Sequence, residues 1–362
     1  MRKFIDNPSI KKILKYIWEI YINFYVFLNI PFPIIRKFPR IFYAGGRTGS
    51  IGGPLVKIEK LTKVFPDNKF KFNLVYIASN NFFITKGSLN IIKKRNIKIV
   101  LNQNGVFYPA WFKGNYKQKN LKMSEAYHAA NYVFWQSNFC KKASNKFLGK
   151  RLGEGEVLYN AVDTNFLMPS KKNDKIFTFL ITGNISKKNN YRLTQILIAF
   201  KEILKLNSNL QLIIAGNIED KEYIFSKILQ NKIREKISFL GSFKQIDAPK
   251  IYQLADAYVT ITFQDNCPST VIEAMSCGLP VLYSSSGGIP ELVDINSGIG
   301  LEVKQSWEQI QVPNVNKIVD GMLKIIENKK SMSESARTRV VENFDLKNWL
   351  KRHEIIFNQF LS

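Results

Sequence analysis

The sequence predicts an α/β chain of two domains, each built on a parallel sheet. Three observations carry this. Apolar, β-branched runs alternate with helical patterns along most of the chain, as in buried parallel strands joined by crossover helices. A glycine-rich loop directly follows a strand pattern near residue 45, and a loop opening on Gly183 follows another. The 362 residues, 45% of them apolar, are enough for two domains of ordinary size with real cores.

Residues 1–40 read as an added segment. Ile10, Ile13, Leu14, Ile17, Trp18, Tyr21, Phe24, Tyr25 and Leu28 recur at helical spacing, with Lys11, Lys12, Lys15 and Glu19 between them. No charge occurs from Ile20 to Ile35, but Asn23, Asn29, Pro31 and Pro33 interrupt the run. It falls short of the ~20 apolar residues that span a bilayer. No small-residue cleavage site follows, which argues against a signal peptide. Two readings stay open: a helix packed on its own domain, or an amphipathic helix lying among lipid headgroups next to Arg36, Lys37 and Arg40.

The first domain spans residues 41–165. Ile41 to Ala44 reads as its first strand, Gly45 to Pro54 as a glycine-rich loop and Leu55 to Phe65 as the next helix. Strand, glycine loop and helix can cradle phosphate, although the same pattern also serves a tight β–α turn. The glycines do not follow the dinucleotide spacing, and no Gly-Lys-Ser/Thr follows. Further strands are expected at Asn73–Ile77, Ile97–Leu101, Tyr132–Gln136 and Glu156–Tyr159. Asn102-Gln103-Asn104-Gly105 is expected just after a strand. His128 falls in a helical pattern, where a lone histidine is more often structural than catalytic.

Charge divides the chain unevenly. Residues 1–163 hold 28 Lys/Arg against 8 Asp/Glu, whereas residues 164–362 hold 25 against 20. A compositional bias shared by the whole chain would not spare the second half. The first half therefore suits an anionic partner: a membrane surface, a phosphate-bearing lipid or nucleic acid. No acid occurs between Asp67 and Glu125, where lysines interleave with Phe107, Tyr108, Trp111, Phe112 and Tyr116. Such a face suits a lipid-linked or charged acceptor, or single-stranded nucleic acid, although no nucleic-acid motif accompanies it. Cys140, Cys267 and Cys277 are odd in number and lack metal spacing, which points to a reducing compartment without a disulfide framework.

The second domain, residues 170–340, follows a polar linker from Pro169 to Asp174. Strand Ile176–Thr182 leads into Gly183-Asn184-Ile185-Ser186-Lys187-Lys188 and a helix bearing Arg192. A lysine pair in such a loop is by itself more often simply solvated. Strands follow at Leu210–Ala215, Ile237–Leu240, Ala257–Phe263 and Val281–Tyr283. Between the last two lies a helix, Pro268 to Ser276, with Asn266 or Ser269 as candidate cap and Gly278 as its stop. Asp265 precedes this helix and Glu273 lies on it, eight residues further on. The helix start offers unbonded amides for phosphate, and the two acids offer acceptors for hydroxyls. Spacing alone would equally give a solvated loop acid and a helix-surface glutamate. Pro313–Asn328 and Ser331–Asn343 read as two helices, and 341–362 ends in a helix, Leu346–Phe360, expected to pack back on the first domain.

The stretch from Asp265 to Glu291 resembles the donor site of retaining glycosyltransferases of family four. That family carries two acids separated by seven residues, then Ala-Met-x-x-Gly-x-Pro-Val and Gly-Gly-x-x-Glu. The matches here are Asp265, Glu273, Ala274, Met275, Gly278, Pro280, Val281, Gly287, Gly288 and Glu291. Tyr159 to Phe166 is similar to the family's Asn-Gly-Val-Asp-x-x-x-Phe junction between domains. Two positions depart from the pattern. Asp265 stands where most members have Glu, and Asn184 stands where the phosphate loop has Arg.

The resemblance implies two Rossmann-like domains facing each other across a cleft, the GT-B fold, with the N-terminal helix as an extension. It implies an enzyme of hexosyltransferase type, moving a sugar from a nucleotide-sugar to an acceptor hydroxyl with retention, without metal or other cofactor. Asp265 would hold the donor sugar and Glu273 the ribose. Gly52, Gly53, Gly183, Lys187, Lys188 and Arg192 would surround the diphosphate, with Asn266, Cys267, Pro268, Ser269 and Thr270 beside it. The expected partners are the donor and a carbohydrate or lipid-linked acceptor, in cell-surface polysaccharide or glycolipid synthesis. The expected location is cytoplasmic, peripheral on the inner face of an anionic membrane. Two other classes remain open on sequence: a nucleotide-sugar-binding protein that has lost catalysis, suggested by the two departures, and a nucleic-acid binder.

Overall fold

Two parallel sheets organise the chain. The computed structural model describes residues 8–49, 53–80, 83–170 and 176–361. Ser50, Ile51, Gly52 and most of the polar linker, residues 171–175, lie outside the described residues. The chain divides into two compact units, 1–158 with 350–362, and 159–349.

In the first unit, helix α1 (Pro8–Leu28) precedes five strands, β1 (Ile41–Phe42), β2 (Leu74–Ala78), β3 (Lys98–Gln103), β4 (Tyr132–Trp135) and β5 (Glu154–Val157). All pair in parallel, in the order β1-β2-β3-β4-β5. The crossovers are α2 (Gly53–Thr62), α3 (Lys86–Lys94), α4 (Tyr116–Ala129) and α5 (Asn138–Phe147). The crossovers through α3, α4 and α5 step the same way across the sheet, so right-handed connections stack these three helices on one face. The opposite face takes the end of the chain. The ring of His353 lies 4.5 Å from that of Phe134, and the ring of Phe357 lies 5.2 Å from that of Phe65. His353 Nε2 is 3.2 Å from the Tyr76 hydroxyl in a fully buried contact. These residues belong to α12 (Leu346–Gln359), whose last turns complete the first unit.

The second unit has six parallel strands: β6 (Phe177–Thr182), β7 (Leu210–Ala215), β8 (Ile237–Gly241), β9 (Ala257–Thr260), β10 (Val281–Ser285) and β11 (Gly298–Glu302), in the order β11-β10-β9-β6-β7-β8. Strand alternation feeds two cores. Phe179, Ile181, Leu212 and Ile214 point into one, with α6 (Tyr191–Leu206) and α7 (Lys221–Gln230). Leu180, Ile213 and Tyr258 point into the other, with α8 (Ala248–Tyr252), α9 (Ser269–Ser276) and α10 (Ile289–Leu292). Helices thus cover both faces, which is why the inner strands β6, β7 and β9 are mostly apolar.

Several sequence expectations change. Where two helices were expected over 313–343, residues 315–343 form one 29-residue helix, α11 (Val315–Asn343). Buried Met322, Ile325, Met332 and Ala336 continue one face through the polar Asn328–Ser331 stretch that suggested a break. Asn102 and Gln103 are buried within β3 rather than following it. β1 ends at Phe42, because Ala44 and Gly45 take positive φ values (46° and 83°) that turn the chain out of the sheet. β11 gave no sequence signal, since its Gly-Ile-Gly-Leu-Glu has no strand periodicity.

Candidate functional site

In the second sheet β6 and β9 are neighbours, and the chain leaves them in opposite directions, to β7 and to β10. That reversal opens a crevice beyond their carboxyl ends, the position where open α/β sheets bind ligands. Gly183 follows β6 directly, and Asp265 lies in the loop after β9. The first sheet runs in sequence order and has no such reversal among its described strands.

The β9 loop is built tightly. Gln264 has φ 54°, and its amide donates to Ser286 Oγ at 2.9 Å. The Gly288 amide donates to the Asp265 carbonyl at 2.7 Å. A Cβ on Gly287 (φ 69°) would stand 2.3 Å from that same oxygen, so only glycine fits. The Gly287-Gly288 pair therefore holds Asp265 in place. On the other side of the crevice a Cβ on Gly216 would stand 2.0 Å from the Gly183 carbonyl, which requires glycine there too.

Helix α9 starts at Ser269 with Pro268 as N-cap, and no side chain caps it. Neither Asn266 nor Ser269 takes the role expected of it. Pro268 occupies the capping position, Ser269 is already helical, and Asn266 lies two residues too early to reach the first-turn amides. The helix start thus keeps uncapped amides and the positive end of its dipole. Asn266 Oδ1 is buried without a partner, an acceptor left over for something else.

Asp265 is half-buried and accepts from the Cys267 amide at 3.3 Å. Loss of hydration raises its carboxyl above the usual range, while the charge of Arg192 and the Cys267 and Asn266 amides oppose that rise. Arg192 comes from the first turn of α6, which is tied to the β9 loop by the Phe263 amide donating to Tyr191 Oη at 3.1 Å. Arg192 Nε is buried without a partner. Lys187 and Lys188 lie on a single 3₁₀ turn, Lys187–Asn189, and both are exposed. Lys187 turns towards acids: its amide donates to Glu219 at 3.0 Å and its Nζ is 4.0 Å from Asp220. That leaves Lys188 and Arg192 as the cations of this loop not held by those carboxylates.

Glu273 is buried on α9, its carboxylate accepting from Gln245 Nε2 at 3.0 Å and from Tyr252 Oη at 2.9 Å. The Tyr252 hydroxyl is held well above its usual pKa by burial and then by the Glu273 charge, so it donates throughout the ordinary pH range. The Cys277 thiol is pushed up to about 12, by burial and then by Glu273, and is inert. Cys267 is structural: its carbonyl accepts from Asn160 Nδ2 at 2.6 Å and its Sγ from the Asn160 amide at 3.2 Å. Glu291 accepts from Tyr159 Oη at 3.0 Å.

The second unit thus brings together Gly183, Arg192, Asp265, Asn266 and the start of α9 at Ser269 and Thr270. Gln245, Tyr252 and Tyr191 position these groups, and sequence reasoning missed all three. Each acts across 21 to 72 residues with no motif of its own. Of the first-domain glycines, Gly52 lies outside the described residues and Gly53 opens α2. One turn on, Lys57 is buried, with Nζ donating to Asn102 at 2.9 Å and Asn104 at 3.0 Å, an unexpected polar cluster at the end of β3. His128 is structural, its Nε2 meeting the Leu148 carbonyl at 2.8 Å.

Residues 164–341 match the family model for glycosyl transferases group 1. An uncharacterized glycosyltransferase of Methanocaldococcus jannaschii, MJ1069, is 25% identical over 282 residues, 67% of this chain and 70% of the relative. N-acetyl-alpha-D-glucosaminyl L-malate synthase of Bacillus anthracis is 22% identical over 173 residues, which cover 47% of this chain and 42% of the relative. Among solved structures, Anabaena Alr3699/HepE in complex with UDP superposes with a TM-score of 0.64 at 18% identity, over 85% of this chain and 82% of that one. Sucrose-phosphate synthase from Thermosynechococcus elongatus gives 0.62 at 12% identity, over 83% and 76%. The fold is that of GT-B glycosyltransferases, two Rossmann-like parallel-sheet domains.

Proposed function

We propose that this chain, whose second domain is a glycosyl transferases group 1 domain, moves a hexosyl unit from a nucleoside diphosphate sugar to an acceptor hydroxyl with retention at the anomeric carbon. The observation that carries the reading is the meeting of Asp265, Arg192 and the uncapped start of α9 at the switch point of the second sheet. A nucleotide-sugar needs cations and amides for its diphosphate and carboxylates for its hydroxyls, and this edge supplies both. The relatives and neighbours support the same donor class: HepE was solved with UDP and with UDP-glucose.

In this reading the sugar–phosphate bond breaks as negative charge grows on the departing diphosphate. Arg192, Lys188 and the amides of Ser269 and Thr270 stabilise that charge, which is the largest contribution such a site can make. These groups supply the charge that a metal ion would otherwise bring, so the transfer is proposed to be metal-independent. Asp265 accepts hydrogen bonds from hydroxyls of the donor sugar, and Asn266 Oδ1 accepts one more. Glu273, fixed by Gln245 and Tyr252, takes the ribose hydroxyls. No protein nucleophile is assigned. The acceptor is a carbohydrate or lipid-linked hydroxyl, consistent with polysaccharide or glycolipid synthesis.

The direct test is release of nucleoside diphosphate from a panel of nucleotide-sugars, with and without Arg192→Gln. Release that depends on Arg192 supports the reading. Release equal in both proteins would remove Arg192 from the reaction.

A further inference from the structure

The carboxyl ends of β2, β3 and β4 carry polar side chains that the proposed donor site does not use. Asn102 on β3 is in register with Ala78 on β2 and Phe134 on β4, so it shares their face of the first sheet. Just past the strand ends, Asn80, Asn104 and Gln136 join side chain to side chain. Gln136 Nε2 donates to Asn104 Oδ1, and Asn104 Nδ2 donates to Asn80 Oδ1 at 3.2 Å. The Asn104 amide donates to Ser79 Oγ at 2.9 Å, which ties the loop after β3 to the end of β2. Lys57 reaches this row from α2, its Nζ donating to Asn102 Oδ1 at 2.9 Å and to Asn104 Oδ1 at 3.0 Å. It lies outside the acid-free stretch between Asp67 and Glu125 that composition singles out.

Two features of the row go beyond packing. Lys57 is 7% exposed, and an apolar side chain would fill that position without taking an ammonium out of water. Asn102 is 1% exposed, yet its Nδ2 has no hydrogen-bond partner among the described residues, whereas buried amide hydrogens are normally used. The unspent N–H stands on the same carboxamide that accepts from Lys57, so ammonium and spare donor lie together. One carboxylate suits such a pair: the ammonium supplies the charge and the amide a second hydrogen bond. Of the six side chains, Lys57 alone is basic and none is acidic. A phosphate dianion would bring a second negative charge into the same buried place. Asn104 is half-buried and Asn80 exposed, so the row reaches solvent at that end, and carboxamides both donate to and accept from hydroxyls.

We infer that this row binds an acidic sugar of uronic-acid type as the acceptor, with Lys57 and Asn102 holding its carboxylate and Asn104 and Asn80 its hydroxyls. That the acidic sugar is the acceptor rests on the proposed transfer; its binding does not, and is measured without any donor. The donor groups Arg192, Asp265 and Glu273 all belong to the second unit, and the acidic-sugar site belongs wholly to the first.

The test is calorimetric titration of the full-length chain with glucuronate, galacturonate, glucose and glucose 6-phosphate. At least one uronate should bind, more tightly than glucose by about tenfold or more, the worth of a charged hydrogen bond, and more tightly than glucose 6-phosphate. Lys57→Met should weaken uronate binding by about tenfold or more. Asn102→Asp keeps an acceptor for Lys57, so its thermal melting should not fall below the parent's. Its new charge faces the carboxylate, so uronate binding should be lost, which separates a lost site from a lost fold. The inference is overturned if neither uronate binds, if glucose binds equally, if glucose 6-phosphate binds more tightly, or if Asn102→Asp binds uronate as the parent does. Titration with UDP reports the second unit separately, so absent uronate binding with UDP binding kept would refute the acidic acceptor and leave the donor reading standing.

Discussion

Asp265 shows how one side chain is set for its task by opposing effects. Burial raises its pKa, and Arg192 holds the rise in check. If ionised Asp265 is the form that accepts sugar hydroxyls, the rate falls as pH drops through a value above the ordinary carboxylate range. Arg192→Gln removes the opposing charge, so the acid limb of the pH–rate profile should move to higher pH; an unmoved limb would mean that Asp265 does not govern it. A raised native pKa also means that ionised Asp265 costs stability, a cost that appears as pH rises past its unfolded value and is complete above its native one. Asp265→Asn should therefore melt no lower than the parent at neutral pH while losing activity. For Glu273→Gln, thermal melting should change little and donor affinity should fall by about 10- to 100-fold, the worth of a charged hydrogen bond; calorimetric titration checks both donor affinity and its loss. Asp265 and Glu273 were legible because they stand in an ordered motif. Gln245 and Tyr252, which aim Glu273, were not, because a buried hydrogen bond between distant residues leaves no local pattern.

Elements were legible where local chemistry decides them. Strands β6 to β10 of the second sheet were visible as apolar runs because both faces are covered, and Gly278, with φ 75°, ends α9 as its sequence implied. The cap of α9 and the unbroken course of α11 were not, since each depends on what packs against it. Met332 and Ala336 are buried, and this packing overrides the polar Asn328–Ser331 stretch. The β9 loop is the element whose precision matters most. Gly287→Ala places a methyl 2.3 Å from the Asp265 carbonyl in a left-handed backbone conformation. It should cost about 1–3 kcal/mol by thermal or urea unfolding and abolish turnover together with Asp265 positioning. A variant that keeps parental stability and rate would show that the loop does not hold Asp265 as described.

At the scale of the molecule, the two-domain α/β plan followed from alternation and length, whereas the strand orders did not. The reversal in the second sheet and its absence among the described strands of the first are tertiary facts, and they are what distinguish the sheet bearing the proposed donor edge. The division of the chain is also non-local: residues 350–362 return to the first unit, where Phe357 is fully buried. Phe357→Ala should cost about 3–5 kcal/mol, read as a lowered melting temperature of the first unit, and an unchanged melt would mean that α12 does not complete that core. The measurement that bears most directly on the central claim is calorimetric titration with UDP, GDP, ADP, CDP and dTDP, each to about 1 mM, against the parent, Arg192→Gln and Glu273→Gln. The account predicts that at least one nucleoside diphosphate binds the parent and that both variants lose at least tenfold in affinity, about 1.4 kcal/mol. Binding of none of the five, or equal binding to all three proteins, would contradict it.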